Sequence, residues 1–99
     1  GGGEFVHYAM SKGAIHSLTY GMAKELGKYG IRVNAVAPGL IDTEIHAKAG
    51  DASRVDRLMP SVPIGRVGGA EEVAKTVMWL LSEASSYISG SVVPVSGGR

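Results

Sequence analysis

The run Ile31-Arg32-Val33-Asn34-Ala35-Val36-Ala37 restricts the fold more than any other stretch. It is short, largely apolar and contains β-branched residues. It begins one residue after Gly30, which stands where a left-handed helix cap belongs, and it stops at Pro38-Gly39. A helix, a cap glycine and a short apolar run in that order read as a strand buried in a parallel sheet. In open parallel sheets, ligands bind just beyond the carboxyl ends of the strands. The segment from Pro38 to Thr43 is therefore a candidate for ligand contact.

The flanking patterns fit the same architecture. Gly1 to His7 reads as a loop. From Tyr8 to Tyr29 the apolar residues Ile15, Leu18, Met22, Leu26 and Tyr29 recur at spacings of three and four, which predicts a helix over 8–29. Ala9, Gly13, Ser17 and Gly21 form a second stripe of small residues, suited to close packing within the domain or between subunits. The strand is expected over 31–37. A second helix is expected over 70–82, with Glu71 and Glu72 in its first turn, where negative charge suits the dipole. Val73, Val77, Leu80 and Leu81 are its expected buried stripe, widened by Met78 and Trp79. A last strand follows over 91–95, ended by Ser96-Gly97-Gly98. This order predicts an α/β layered fold with a parallel sheet and a right-handed crossover. Two strands cannot cover this much apolar helix surface, so the chain reads as one side of a larger doubly wound domain, incomplete on its own. Apolar faces left uncovered imply that the isolated chain is partly molten or associates.

Residues 44–67 carry mixed signals. Gly50, Pro60, Pro63 and Gly65 break any long pattern, and such a stretch is more often a functional loop or lid than a plain connection. His46 within it is either a substrate contact or a solvated side chain. His7, His16 and His46 lack metal-ligand spacing, and with no cysteine there is no thiolate zinc site and no disulfide framework, so no metal is expected. A net charge of +1 with no basic run gives no electrostatic footprint for nucleic acid. No apolar run approaches the roughly 18 residues of a membrane span. No signal peptide is read at the start, and the cytoplasm is the simplest compartment. A chain that starts at Gly1 is expected to be a fragment or a processed product.

Tyr8 and Lys12 are the candidate catalytic pair. Four residues apart on a helix, they share one face, one turn apart. A phenol has a free pKa of about 10 and is a weak acid and base at neutral pH. A nearby ammonium favours the phenolate and lowers that pKa. Such a pair is suited to moving a proton to or from an alcohol or carbonyl oxygen.

Together these segments resemble the short-chain dehydrogenase/reductase family, over nearly the whole chain. Tyr8-x-x-x-Lys12, with Ser11 before the lysine, looks like the family's active-site motif. Ile31 to Gly39, followed by Ile41 and Thr43, is similar to its sixth strand and nicotinamide-side loop. Pro63-Ile64-Gly65-Arg66 with Glu71-Glu72-Val73-Ala74 resembles the entry to its last long helix. Ser85 to Gly90 and the closing Gly97-Gly98 look like its final turn and tail. The resemblance implies the C-terminal part of a Rossmann-type dehydrogenase domain. It implies that Tyr8 is the general acid/base for hydride transfer between an alcohol or carbonyl and NAD or NADP. Lys12 would lower the pKa of Tyr8 and hold the nicotinamide ribose. Pro38 and Gly39 would shape the loop at the nicotinamide, the Ile41 backbone would meet its carboxamide, and Thr43 would bond the carboxamide or pyrophosphate. Residues 44–67 would be the substrate lid. Asn34, Arg66 and Tyr87 read as structural. A dimer or tetramer of the parent protein is expected by the same resemblance.

The departures are informative. The family's glycine-rich phosphate loop is absent, as is the residue that selects NAD from NADP. Its catalytic serine and helical asparagine belong upstream, beyond the seven residues that precede Tyr8. Two functional classes follow. The first is a dehydrogenase of which this chain is a part, inactive when isolated. The second is a truncated, non-catalytic module that associates with full-length relatives through its helix and last strand.

Overall fold

The computed structural model describes residues 2–42 and 56–99, with side chains described from Ala9 onward. Helix α1 spans Gly2–Leu26 and tightens into a 3-10 turn at Gly27–Tyr29. Strands β1 (Ala35–Pro38) and β2 (Ile41–Asp42) follow. After the described break come a 3-10 turn at Met59–Ser61, β3 (Gly68–Gly69), helix α2 (Ala70–Leu80), a 3-10 turn at Glu83–Ser85 and β4 (Val92–Val95). Two small sheets result, β1 with β4 and β2 with β3. Ala35 N–H donates to Ser91 O and Gly39 N–H to Val95 O, each at 2.9 Å. The chain advances equally on both strands between those bonds, so β1 and β4 run parallel. The β2–β3 pair is also parallel, with Ile41 opposite Gly68 and Asp42 opposite Gly69.

Several boundaries differ from the sequence reading. Helix α1 starts at Gly2, where a loop was expected up to His7. Each glycine weakens a helix by about 1 kcal/mol relative to alanine. Extending an established helix nevertheless fixes only one residue per bond gained, so it continues through such residues. The expected strand over 31–37 begins only at Ala35. Its first half pairs with a turn instead of a ladder: Gly90 N–H donates to Val33 O at 2.7 Å, and Val33 N–H donates to Ser89 Oγ at 3.1 Å. Helix α2 ends at Leu80 and not at Ser82, because Ser82 N–H reaches back only three residues, to Trp79 O at 3.0 Å. The last strand starts at Val92.

The chain divides into two compact units. One comprises the residues up to Ala35 with Ser86–Val93; the other is Val36–Ser85 with Pro94–Arg99. In the first, Gly30 closes α1 in the left-handed region (φ 75°), its N–H on Gly27 O at 2.9 Å. Asn34 then bridges to the 88–91 turn at two points. Its Nδ2 donates to Ile88 O at 2.9 Å, and its Oδ1 accepts from Ser91 N–H at 3.0 Å. Arg32 Nη1 donates to the same Ile88 carbonyl at 3.1 Å. Asn34 is thus structural, as expected, whereas Tyr87, expected to be so, is wholly exposed at 101%. The expected apolar stripe is also largely uncovered: Ile15, Leu18 (59%) and Met22 on α1 and Tyr29 in the turn after it are exposed, Leu26 is half-buried, and Thr19 is the buried residue of this helix among those described.

The second unit holds the buried apolar residues Leu40, Ile41, Val62 and Leu80. Of the stripe expected on α2, Leu80 is buried and Val73 half-buried, while Val77, Met78, Trp79 and Leu81 are exposed. Two-stranded sheets offer less surface than a layered α/β core needs. The carboxyl end of α2 is nonetheless well closed. Ser85, 1% exposed, places its hydroxyl within 2.9 Å of the carbonyls of Trp79 and Leu80. These are among the acceptors that a helix end leaves without intrahelical donors.

Candidate functional site

Tyr8 and Lys12 both lie on α1, one helical turn apart along the backbone, and Lys12 is exposed. They belong to the first unit. Pro38, Gly39 and Ile41 belong to the second. Pro38 ends β1 and is exposed, Gly39 is half-buried, and Ile41 is buried within β2. Thr43, His46 and the first part of the expected lid lie outside the described residues.

Gly39 is there for a steric reason. A Cβ at that position would lie 2.7 Å from Ser96 Cβ and 2.8 Å from Ser96 Cα. Gly39 N–H on Val95 O fixes the approach. The turn that leaves β1 is therefore pressed against the turn that leaves β4, which no local pattern around Gly39 announces. Immediately downstream, Gly68 N–H donates to Leu40 O at 3.0 Å and closes β3 onto the same segment.

The strongest electrostatic contact nearby is one the sequence reading did not identify. Arg66 donates two hydrogen bonds to Glu72, Nη1 to Oε1 at 2.7 Å and Nη2 to Oε2 at 3.0 Å. Glu72 Oε1 also accepts from Gly69 N–H at 3.0 Å, at the start of α2. The Arg66 hydrogen bonds first, and the Gly69 N–H second, hold the Glu72 carboxyl down to about 2 from an ordinary 4.5. The signal was partly present: a glutamate three residues into a helix is the residue type that reaches back to the N-cap amide. Its arginine partner precedes the helix and is not implied by that motif. A pocket of about 50 Å³ opens beside this pair, lined by Leu40, Ile41, Ile64, Arg66, Ser96 and Gly97 among others. Ligand pockets are typically about 300–1,000 Å³, so this one suits a water and not a substrate.

Among the described residues there is no group of three or more His, Cys, Asp or Glu that could hold a metal, and no helix long and apolar enough to cross a membrane. Among the described residues, Lys12 offers an exposed ammonium in the first unit, and in the second the Pro38-Gly39 turn stands at the carboxyl end of a parallel strand; each is of a kind that a nicotinamide dinucleotide can use. A glycine-rich phosphate loop after a first strand is not among them.

A parallel strand leading into a Pro-Gly turn marks a place where an open α/β sheet can take a ligand. Comparison with known proteins identifies the family. The family model described as enoyl-(acyl carrier protein) reductase matches residues 1–99. The chain is 52% identical over 97 residues to the Escherichia coli (strain K12) oxidoreductase YgfF, covering 98% of this chain and 39% of that protein. It is 44% identical over 92 residues to the 3-oxoacyl-[acyl-carrier-protein] reductase FabG of Pseudomonas aeruginosa, covering 93% and 37%. A dehydrogenase from Agrobacterium tumefaciens solved with bound NADP superposes with a TM-score of 0.78 at 36% identity, over 92% of this chain and 37% of that one. The chain belongs to the short-chain dehydrogenase/reductase family, and it forms part of that family's doubly wound, Rossmann-type α/β domain. It spans about two-fifths of the length of these relatives.

Proposed function

We propose that this chain supplies the proton-transfer pair and the nicotinamide-side turn of an NAD- or NADP-dependent oxidoreductase acting on an alcohol or carbonyl substrate. The observation that carries the reading is the placement of Tyr8 and Lys12 one turn apart on the continuous helix α1, in a chain of this family. When bound, the nicotinamide supplies or accepts the hydride. Tyr8 gives its phenolic proton to the carbonyl oxygen in reduction and takes it from the alcohol in oxidation. The Lys12 ammonium favours the phenolate and so brings that exchange toward neutral pH. Lys12 would also donate to the nicotinamide ribose hydroxyls, Pro38 and Gly39 would shape the turn at the nicotinamide, the Ile41 backbone would meet its carboxamide, and Thr43 would bond the carboxamide or pyrophosphate. Residues 44–67 are assigned to the substrate side. The bound form of the NADP-containing relative supports the cofactor class, and the reductase relatives support the reaction class. A cytoplasmic homo-oligomer is the assembly that fits this family.

The test is made on the intact gene product that carries these residues. Its consumption of NADH or NADPH is followed by absorbance against a panel of ketones and 3-oxoacyl thioesters. Turnover with one dinucleotide, lost in Tyr8→Phe and sharply reduced in Lys12→Ala, is expected. Turnover that survives Tyr8→Phe overturns the assignment of the pair.

A further inference from the structure

The strand that carries Ile41 is only two residues long, and so is its partner β3. β3 is Gly68-Gly69, the residue type with the most backbone freedom to lose on ordering. So short a glycine pair needs a restraint from outside the ladder. One carboxylate supplies it. Glu72 holds Gly69 N–H with Oε1 and receives both arms of Arg66. Arg66 Nη1 also reaches Val67 O at 3.3 Å, so the guanidinium holds the residue that leads into β3 as well. Both side chains are about half exposed, 58% and 46%. Exposed pairs contribute little to stability in general. Geometry is what a bidentate pair adds.

We infer that the Arg66–Glu72 pair is a positioning clasp for the Ile41 strand. It fixes Gly68-Gly69, and β3 fixes Leu40 to Asp42 in turn. Gly68 N–H bonds Leu40 O, and Ile41 and Asp42 stand in register with Gly68 and Gly69. Contact is close as well: a Cβ at Gly68 would lie 2.9 Å from Ile41 Cδ1. Arg66 and Glu72 touch no reacting atom in this scheme and act through β3. The consequence for cofactor binding rests on the proposal that Ile41 faces the nicotinamide.

The experiment compares Arg66→Ala, Glu72→Ala and Arg66→Lys in the intact gene product, with Asn34→Ala as a structural control. Both alanine variants are expected to raise the KM for the dinucleotide roughly tenfold while kcat changes far less. Arg66→Lys keeps the charge but not the fork, and is expected to recover only a minor part of the loss. Asn34→Ala is expected to lower Tm and leave that KM unmoved. Hydrogen exchange at the Gly68 amide gives a second readout independent of turnover. Its protection is expected to fall in both alanine variants and not in Asn34→Ala. Unchanged Gly68 exchange in Arg66→Ala overturns the clasp whatever the activity. Faster Gly68 exchange with an unmoved dinucleotide KM overturns its role in cofactor positioning. A wild-type protein with no turnover, but with Gly68 exchange that responds as expected, counts against the proposed function and leaves the clasp standing.

Discussion

Helix α1 and the segments around β2 and β3 are built in opposite ways. The helix carries the proposed chemistry, and among its described side chains only Thr19 is buried: Ile15, Leu18 (59%) and Met22 of its apolar stripe are exposed and Leu26 is half-buried. The β2–β3 region carries no titrating catalytic group, yet Leu40, Ile41 and Val62 are buried there. Its turns are tied by Gly39 to Val95, Ile64 to Gly97 and Gly68 to Leu40. A helix whose local hydrogen bonds are all internal can form without tertiary partners, but most helix stability in proteins comes from packing an apolar face. The exposed stripe therefore shows a face ready for packing that the described residues do not supply. The β2–β3 region closes on itself. Function placed on α1 depends on its surroundings for rigidity; the turn at Gly39 brings its own.

The largest expected effect tests whether the bare helix is the chemical one. Tyr8→Phe in the intact gene product removes the proton donor and is expected to lower kcat/KM by about 10² to 10⁴, the usual range for general acid/base groups. A drop below tenfold would move the chemistry off α1. The next concerns the self-supporting region. Gly39→Ala sets a methyl group 2.7 Å from Ser96 Cβ and 2.8 Å from its Cα, and backbone cannot swing aside as a side-chain tip can. Forcing extra atoms into a packed site costs about 1–3 kcal/mol, so a clear fall in Tm or in the urea midpoint is expected. Leu18 gives the counterpart on α1. Leu18→Ser is expected to change little, within about 0.5 kcal/mol, in the isolated chain. In the intact gene product the same substitution is expected to cost several times more, about 2 kcal/mol or above, if the stripe is covered there. Equal effects in both settings would mean that the stripe stays bare.

How much of this was legible follows from how local each cause is. Gly30 was readable because a helix cap at positive φ favours glycine, and the structure has φ 75° there. Both long helices were readable from their apolar spacing. The start of β1 was not. Asn34 spends its amide on Ile88 and Ser91, far along the chain, and draws the residues before Ala35 out of the ladder. The contact of Gly39 with Ser96 was hidden for the same reason. Tyr87 was read as structural from its setting in a motif, and a motif does not report burial. Of the candidate site, the spacing of Tyr8 and Lys12 is legible because helical geometry sets them one turn apart on α1, and the family resemblance makes them a candidate pair. Arg66 reads as structural and Glu72 as a helix-start charge, but their pairing depends on a turn that sequence does not specify.

The smallest expected effect sharpens the comparison at the edge of the self-supporting region. Arg66 and the Gly69 amide lower the Glu72 carboxyl to about 2 from an ordinary 4.5. A carboxyl whose folded pKa is depressed binds fewer protons in the folded than in the unfolded chain over that interval. Its contribution is thus fully present above about pH 4.5 and is lost as pH falls toward 2. Because both partners are solvent-exposed, the contribution is screened and small. Glu72→Gln is expected to flatten the acid side of the stability profile between those pH values and to leave the profile above pH 5 nearly parallel to wild type. Raising salt to about 1 M shortens the screening length to about 3 Å and is expected to shrink the difference between the two proteins. An acid limb that is the same in Glu72→Gln would mean that the carboxylate's bonds hold geometry without adding pH-dependent stability. That outcome would separate the positioning role of the clasp from any role in holding the region together.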